Sequence, residues 1–325
     1  MVQSKKNIRV LALVGAVLLL WVNNSSVFIE LPKGTPLIVA HRGLHQEFDR
    51  TNLTRDDCTA TRIYKPRHDF LENTIPSIRA SFDMGTDGVE IDIHPTNDGK
   101  FVVFHDWRLE CRTDGQGVTR QQSMAYLQKL DIGYGYTYDS GKSYPFRGTA
   151  IGAMPELSHV LQNFPEKTFF INFKGKRSEE ADQLLAYLQA NNIPLSSHLI
   201  FYGADTILSR LKQLAPAVQT FSKSAIKECL LKYTAVGWTG YMPEACQNQT
   251  IAVPINYAGF LWGWPRKFIS RMDAVKSTIL IFGPLSPTSE IRGINSAREA
   301  AAIPASFNGI IWVQSLDAVV EELTK

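Results

Sequence analysis

"VEIDIHPTNDGKFVVFHD", residues 89–106, holds two short runs in which apolar and polar residues alternate on either side of Asp98-Gly99. Alternation with period two reads as strand, and an Asp-Gly pair between two such runs reads as a hairpin. The polar set is unusual for a strand face: Glu90, Asp92, His94 and His105. A two-residue loop at 98–99 sets Asp92 opposite His105 and His94 opposite Val103 on one side. Ile91 then opposes Asp106 and Ile93 opposes Phe104 on the other. Glu90, Asp92 and His105 form one cluster in this register. Two carboxylates pointing the same way repel, and in a dry site a cation resolves the conflict. Mg²⁺ or Ca²⁺, which prefers carboxylate oxygens, is the natural choice. Taken alone, the pattern fits an exposed hairpin with a wet polar face at least as well.

Outward from this stretch, strand-like and helix-like segments alternate. "LIVA" (37–40) is a continuous apolar run, as in a strand buried on both faces. In "TIPSIRASFDMG" (74–85), Thr74, Pro76 and Gly85 supply helix start and stop signals. "MPELSHVLQNF" reads as helix and "TFFINF" as strand. "HLIFYG", "ADTILSRLKQLAP" and "AVQTFS" continue the series, and "STILIFGP", "GIIWV" and "LDAVVEELTK" close it. Strands separated by helix-length segments imply parallel βαβ units. About eight of them predict a TIM-type (β/α)8 barrel, with the hairpin projecting from its mouth and its return leg re-entering near the site. Residues 44–71 are polar and aperiodic, a long loop that is a lid, a membrane-docking element or inert decoration.

At 325 residues and 44% hydrophobic the chain is globular, and its net charge of +3, with no basic stripe, argues against a nucleic-acid partner. No Gly-x-Gly-x-x-Gly follows a strand, so dinucleotide binding has no support. Lys5, Lys6 and Arg9 precede an uncharged run from Val10 to Val22. That pattern fits a signal anchor or a signal peptide, though a full span wants about 20 apolar positions. The organisation expected is a basic tail (1–7), the anchor or signal segment (8–22), a linker (23–35) and one barrel domain (36–325). The barrel then lies outside the cytoplasm, periplasmic or extracellular, anchored or secreted. Such a compartment permits disulfides, and Cys229 with Cys246 is one candidate pair among the four cysteines. Asn52 and Asn248 begin glycosylation-type triplets, a weak signal.

His41 and Arg42 end the first apolar strand and Lys174 ends "FFINFK", the positions where a parallel barrel carries its active site. Arg suits an anionic substrate and His moves protons, so these residues with the acidic pair suit metal-assisted phosphodiester cleavage. His94 lies on the site face as a supporting residue. His45, His68, His159 and His198 read as ordinary loop or helix-face residues. "GFLWGWPRKF" (259–268) is either a pocket wall or core.

The sequence resembles the glycerophosphodiester phosphodiesterases, within the phosphatidylinositol-phospholipase-C-like barrels. The matching pieces are "HRG" (41–43), "ENT" (72–74), "GVEIDIHPTNDGKFVVFHD" (88–106), "RTDGQG" (112–117), "MPELSHVL" (154–161) and "INFK" (171–174), with a weak last piece at "FNGIIWV". The resemblance implies His41 and His105 as the acid/base pair and Glu90 and Asp92 as metal ligands. It places Arg42 and Lys174 on the phosphate, with Glu72 as a supporting carboxylate. The implied reaction releases glycerol 3-phosphate and an alcohol from a glycerophosphodiester, with a lysophospholipid as the other substrate class. Two departures stand out: Asn172 occupies a position the family gives to a metal-binding Glu, where its amide oxygen can still ligate but leaves weaker metal binding or a need for another donor, and the 44–71 segment is long. The alternatives are a lysophospholipase D acting on membrane lipids, or a non-catalytic member that binds headgroups or a partner through a weakened metal site.

Overall fold

A computed structural model describes residues 2–31, 33–54, 57–286 and 291–323. Among the described residues nine strands form: β1 (Leu37–His41), β2 (Gly88–Pro95), β3 (Phe101–Val103), β4 (Thr168–Phe173), β5 (Leu199–Gly203), β6 (Gln219–Ser222), β7 (Thr250–Pro254), β8 (Thr278–Phe282) and β9 (Ile310–Val313). Eight of them run in the order β6-β5-β4-β2-β1-β9-β8-β7, every neighbouring pair parallel, and β6 and β7 approach one another to leave a nearly closed barrel. β3 stands off this path, pairing antiparallel with β2 and, through an isolated bridge at Val102, with Glu156. The (β/α)8 barrel with a projecting hairpin is therefore the fold.

The near-continuous apolar strands follow from burial on both faces. Ile91, Ile93, Phe169, Ile171 and Phe201 point outward into the layer shared with the helices. Val39, Phe170, Ile200, Leu280 and Ile310 point inward and plug the barrel. The next inward positions toward the strand C-termini are polar. His41 sits beside Glu90 in the β1–β2 ladder, and Asp92, Asn172 and Tyr202 sit side by side across β2, β4 and β5. A dry apolar plug therefore forms the floor of a polar layer. Thr74 caps the helix Ile75–Asp83 by accepting from the Ser77 N–H, as its start signal implied.

The hairpin register differs from the expected one. The loop has three residues, Asn97-Asp98-Gly99, closed by Thr96 N–H donating to Lys100 O at 2.8 Å, with Gly99 at φ 76°. Asp98 is occupied as an anchor, accepting from the Thr96 hydroxyl at 2.6 Å and from Met124 N–H at 3.2 Å. A three-residue loop with glycine in the left-handed position shifts every opposed pair by one. Ile93 opposes Val103 and His94 opposes Val102. Phe104 N–H donates to Asp92 O at 3.0 Å, so Asp92 is not across from His105 in the ladder. His105 reaches the site because β3 ends at Val103 and the chain turns away.

Residues 44–71 pack tightly for a loop. Phe48, Ala60, Ile63 and Leu71 are buried against Val102, Phe104, Leu109 and Tyr136, making an annex beside the barrel mouth. The Cys58–Cys111 disulfide ties that annex together, and Cys229–Cys246 forms the second bridge. At the N-terminus, residues 2–24 form a helix whose apolar side chains between Val10 and Val22 are largely exposed. Its end docks on the barrel through Asn24 Nδ2 to Trp238 O and Arg271 Nη2 to Asn23 O, both 2.8 Å. Among the described residues no helix is long and apolar enough to cross a membrane.

Candidate active site

The polar layer brings together every site residue expected from the sequence. Asp92, fully buried, is its hub. Its Oδ1 accepts from Asn172 Nδ2 at 2.8 Å and lies 3.5 Å from Lys174 Nζ. Its Oδ2 accepts from Asn73 Nδ2 at 3.1 Å and lies 3.1 Å from Arg42 Nε. Burial alone would raise its pKa, but Lys174 and Arg42 outweigh burial and hold Asp92 well below the usual carboxylate range. Glu90, one position away on the same face, goes the other way. Burial and the neighbouring Asp92 charge push it up to about 8. Its Oε1 accepts from the Tyr202 hydroxyl at 2.5 Å, while its Oε2 lies 3.6 Å from His41 Nε2 with no hydrogen-bond partner.

His41 is buried and its Nδ1 contacts Gln314 Oε1 at 2.7 Å. Burial, then the Arg42 charge, holds it neutral, with a pKa well below the usual imidazole value. His105 has a different support. Its Nδ1 donates to Asp106 Oδ1 at 2.6 Å, and Asp106 Oδ2 accepts from Arg112 Nε at 2.9 Å. Burial, with Arg42 and Lys174, lowers His105 too, and both imidazoles lie near enough to Asp92 to act on it.

Arg42 and Glu72 form a second link. Arg42 Nη1 donates to Glu72 Oε1 at 3.0 Å, and Glu72 Oε2 lies 3.2 Å from Arg112 Nη1. Burial would raise Glu72, but Arg112 and Arg42 keep it ionised. Arg42 and Asn73 both adopt left-handed backbone, φ 58° and 59°, costing roughly 1–3 kcal/mol each. The strain is held by Arg42 N–H to Glu90 O and Asn73 N–H to Arg42 O, both 2.9 Å. His94 is buried against Trp107, and its Nε2 lies 3.5 Å from His105 O, so it braces the chain at His105. Burial lowers its pKa to about 3.

A hard divalent cation would find one free carboxylate oxygen here, Glu90 Oε2. Both oxygens of Asp92 face cations and amide donors, and Asn172 turns its amide nitrogen, a donor, toward Asp92. Among the described residues no group of three His, Cys, Asp or Glu side chains could hold a metal ion. As arranged, the donor set does not fit a tightly held divalent ion, which takes six or more oxygens, several of them from carboxylates.

Several participants escaped the sequence reading. His45, read as an ordinary loop residue, is buried and contacts Gln314. Asn73, Asp106, Arg112, Tyr202 and Gln314 were not singled out. Tyr202 and Gln314 lie at strand C-terminal ends, so the rule that picked His41 and Lys174 extends to them. Asp106 is the neighbour of His105 in sequence. His68 pairs with Gln46 away from this cluster, and His159 and His198 lie outside it. Trp262 and Trp264 of the aromatic stretch pack against the helix-side core.

Fold and site together define a parallel α/β barrel with a buried acid–base cluster at its C-terminal mouth. Residues 41–232, more than half of the chain, match the Glycerophosphoryl diester phosphodiesterase family, and the chain belongs to that family. A putative glycerophosphodiester phosphodiesterase of Bacillus subtilis (strain 168) is 32% identical over 157 residues, covering 46% of this chain and 58% of that protein. A glycerophosphodiester phosphodiesterase of Caldanaerobacter subterraneus is 31% identical over 105 residues, covering 32% of this chain and 40% of that protein. The chain thus spans less than two thirds of the length of these relatives. Among solved structures, an Oleispira antarctica phosphodiesterase in complex with the product sn-glycerol-3-phosphate superposes with a TM-score of 0.57 at 18% identity, covering 89% of this chain and 97% of that one. A glycerophosphodiester phosphodiesterase from Agrobacterium tumefaciens gives 0.56 at 16%, covering 86% and 97%. At these identities the likeness establishes the fold.

Proposed function

We propose that this chain hydrolyses glycerophosphodiesters to glycerol 3-phosphate and an alcohol, with His41 and His105 exchanging the protons. One observation carries the reading. A buried imidazole, His41, and a half-buried one, His105, flank one carboxylate–cation hub, each with Nδ1 engaged by a fixed partner, Gln314 or Asp106, so that Nε2 is the ring nitrogen each can use for proton transfer. Lys174, in a loose 3.5 Å pair with Asp92, is the cation placed to turn toward a phosphate, and Arg42 completes the positive field. Glu90, at about 8, keeps a proton at neutral pH and faces His41 Nε2 at 3.6 Å, close enough to hand that proton on once substrate draws the two together. That pair donates to the leaving oxygen, and neutral His105, backed by Asp106, accepts from the attacking hydroxyl. Family membership and the product-bound Oleispira relative support the substrate class.

The test is release of glycerol 3-phosphate from glycerophosphocholine and from lysophosphatidylcholine, with and without Mg²⁺, Ca²⁺ or Mn²⁺. The wild type should turn over the first, and His41→Ala and His105→Ala should each lose at least about 100-fold. Full activity in His41→Ala would refute the mechanism. An inactive wild type across the panel would favour a headgroup-binding role, and preference for the acylated substrate a lysophospholipase D. We further propose that the barrel works outside the cytoplasm, held by the exposed apolar helix of residues 2–24. Two disulfides and the basic residues Lys5, Lys6 and Arg9 near the start of that helix support this. Full-length chain should fractionate with membranes and lose that on deletion of residues 1–24; equal behaviour of both would overturn it.

A further inference from the structure

We propose that Gln314 is a positioning residue which, with His45, locks His41 in the tautomer protonated at Nδ1, so that only Nε2 can gain or lose the catalytic proton. The inference rests on the reading of His41 as a proton-transfer group. It starts from an atom with no choice of role. Gly43 O is a backbone carbonyl and can only accept, and His45 Nδ1 lies 3.1 Å from it, so His45 carries its hydrogen on Nδ1. In the neutral ring His45 Nε2 is then a lone pair, and Gln314 Nε2 donates to it at 2.6 Å, nearer than Glu47 Oε1 at 3.7 Å, which only accepts. That orientation leaves Gln314 Oε1 facing His41 Nδ1 at 2.7 Å, and an amide oxygen only accepts. His41 must therefore donate from Nδ1, and its Nε2 lone pair points to Glu90 Oε2.

Nothing in this chain is loose. His41, His45 and Gln314 are all buried, and Gln314 N–H is pinned to Ile294 O at 2.8 Å. His41 is held edge-on between Trp312, 5.0 Å between ring centroids, and His45, 5.9 Å. Trp312 and Gln314 point to the same face at the end of β9, so this terminal segment aims both at His41. The two catalytic imidazoles are thus oriented by different chemistry: a carboxylate behind His105, a neutral amide behind His41. An amide fixes the tautomer without adding a second charge beside Glu90 and Asp92.

Gln314→Leu removes both contacts and leaves a side chain of similar size. We expect kcat to fall about 10- to 100-fold, the size of effect found when a group orienting a functional imidazole is lost. KM should change by less than about threefold, since Gln314 touches no substrate. Gln314→Glu keeps an acceptor for His41 Nδ1–H and should recover most of kcat relative to the Leu variant. Long-range ¹⁵N–¹H NMR of histidine-labelled protein should show His41 protonated at Nδ1 in wild type and Gln314→Glu, and a tautomer mixture in Gln314→Leu. His45→Phe, which frees the amide to turn over, should show the same mixture and serves as the second variant if Gln314→Leu misfolds. An unchanged His41 tautomer, or wild-type kcat, in folded Gln314→Leu or His45→Phe overturns the proposal. A wild type that hydrolyses none of the diesters sinks the functional reading instead, and the NMR arm still decides the tautomer.

Discussion

Asp92→Asn tests the hub of the site, because it keeps the shape of the side chain and removes its charge. Asp92 accepts from Asn172 and Asn73 and pairs with Lys174 and Arg42, all in one dry layer. An amide there has one acceptor oxygen for contacts that now use two, and its NH₂ faces other donors. Removing one partner of a buried ion pair costs about 3–5 kcal/mol, whereas a surface pair is worth roughly 0–1 kcal/mol. Relief of the Glu90–Asp92 repulsion offsets little of this at pH 7, because Glu90 at about 8 is mostly protonated there. The expected deficit is therefore about 3–5 kcal/mol at pH 7, read by urea unfolding. Its pH dependence has a defined sign. Asp92 is depressed in the folded state, so its contribution is complete above the unfolded value of about 3.9 and is lost as pH falls through the folded one. The gap between wild type and variant should hold from pH 7 to 5 and narrow only below about pH 4. A deficit under about 1 kcal/mol at pH 7, or one that does not shrink in acid, would refute the buried-hub account.

Asn172→Glu should turn the layer into a cation site, because a third carboxylate beside Glu90 and Asp92 cannot stay ionised without one. Mg²⁺ or Ca²⁺ should raise the melting temperature of the variant far more than that of the wild type, and equal shifts by thermal melt would contradict the fit argued from the present donors. Loss of the Cys58–Cys111 bridge, separation 53, should cost about 4 kcal/mol, and loss of Cys229–Cys246, separation 17, about 3 kcal/mol by loop-closure entropy. Urea unfolding of the paired Cys→Ser variants checks both, and the first should also reduce turnover, since the annex it staples holds Arg112 behind Asp106.

The order of strands and helices was legible because burial on both faces writes continuous apolar runs such as "LIVA" and "TFFINF". The strand-end rule then located His41, Arg42 and Lys174. The annex was not legible: Phe48, Ile63 and Leu71 are spaced without period, and their burial depends on a disulfide and on residues about 30 or more positions away. The hairpin register failed for a local reason, since Asp-Gly fits both two- and three-residue loops. Asp98 bonding to Thr96 and Met124 selects the longer one.

What the sequence by itself determined is the barrel and the identity of a polar layer at its mouth, because alternation along each strand fixes which side chains share a face. Which of those side chains touch, and in what protonation state, only the tertiary structure decided. Asp92 and Glu90 are near neighbours of one chemistry, yet Lys174 and Arg42 hold one ionised while burial and that very charge keep the other protonated. Gln314 lies 273 positions from His41 and meets it only because β9 closes the sheet beside β1. Hydrogen bonds and close ion pairs need contact within about 4 Å, so a site assembled from distant strands acquires its chemistry when the barrel closes.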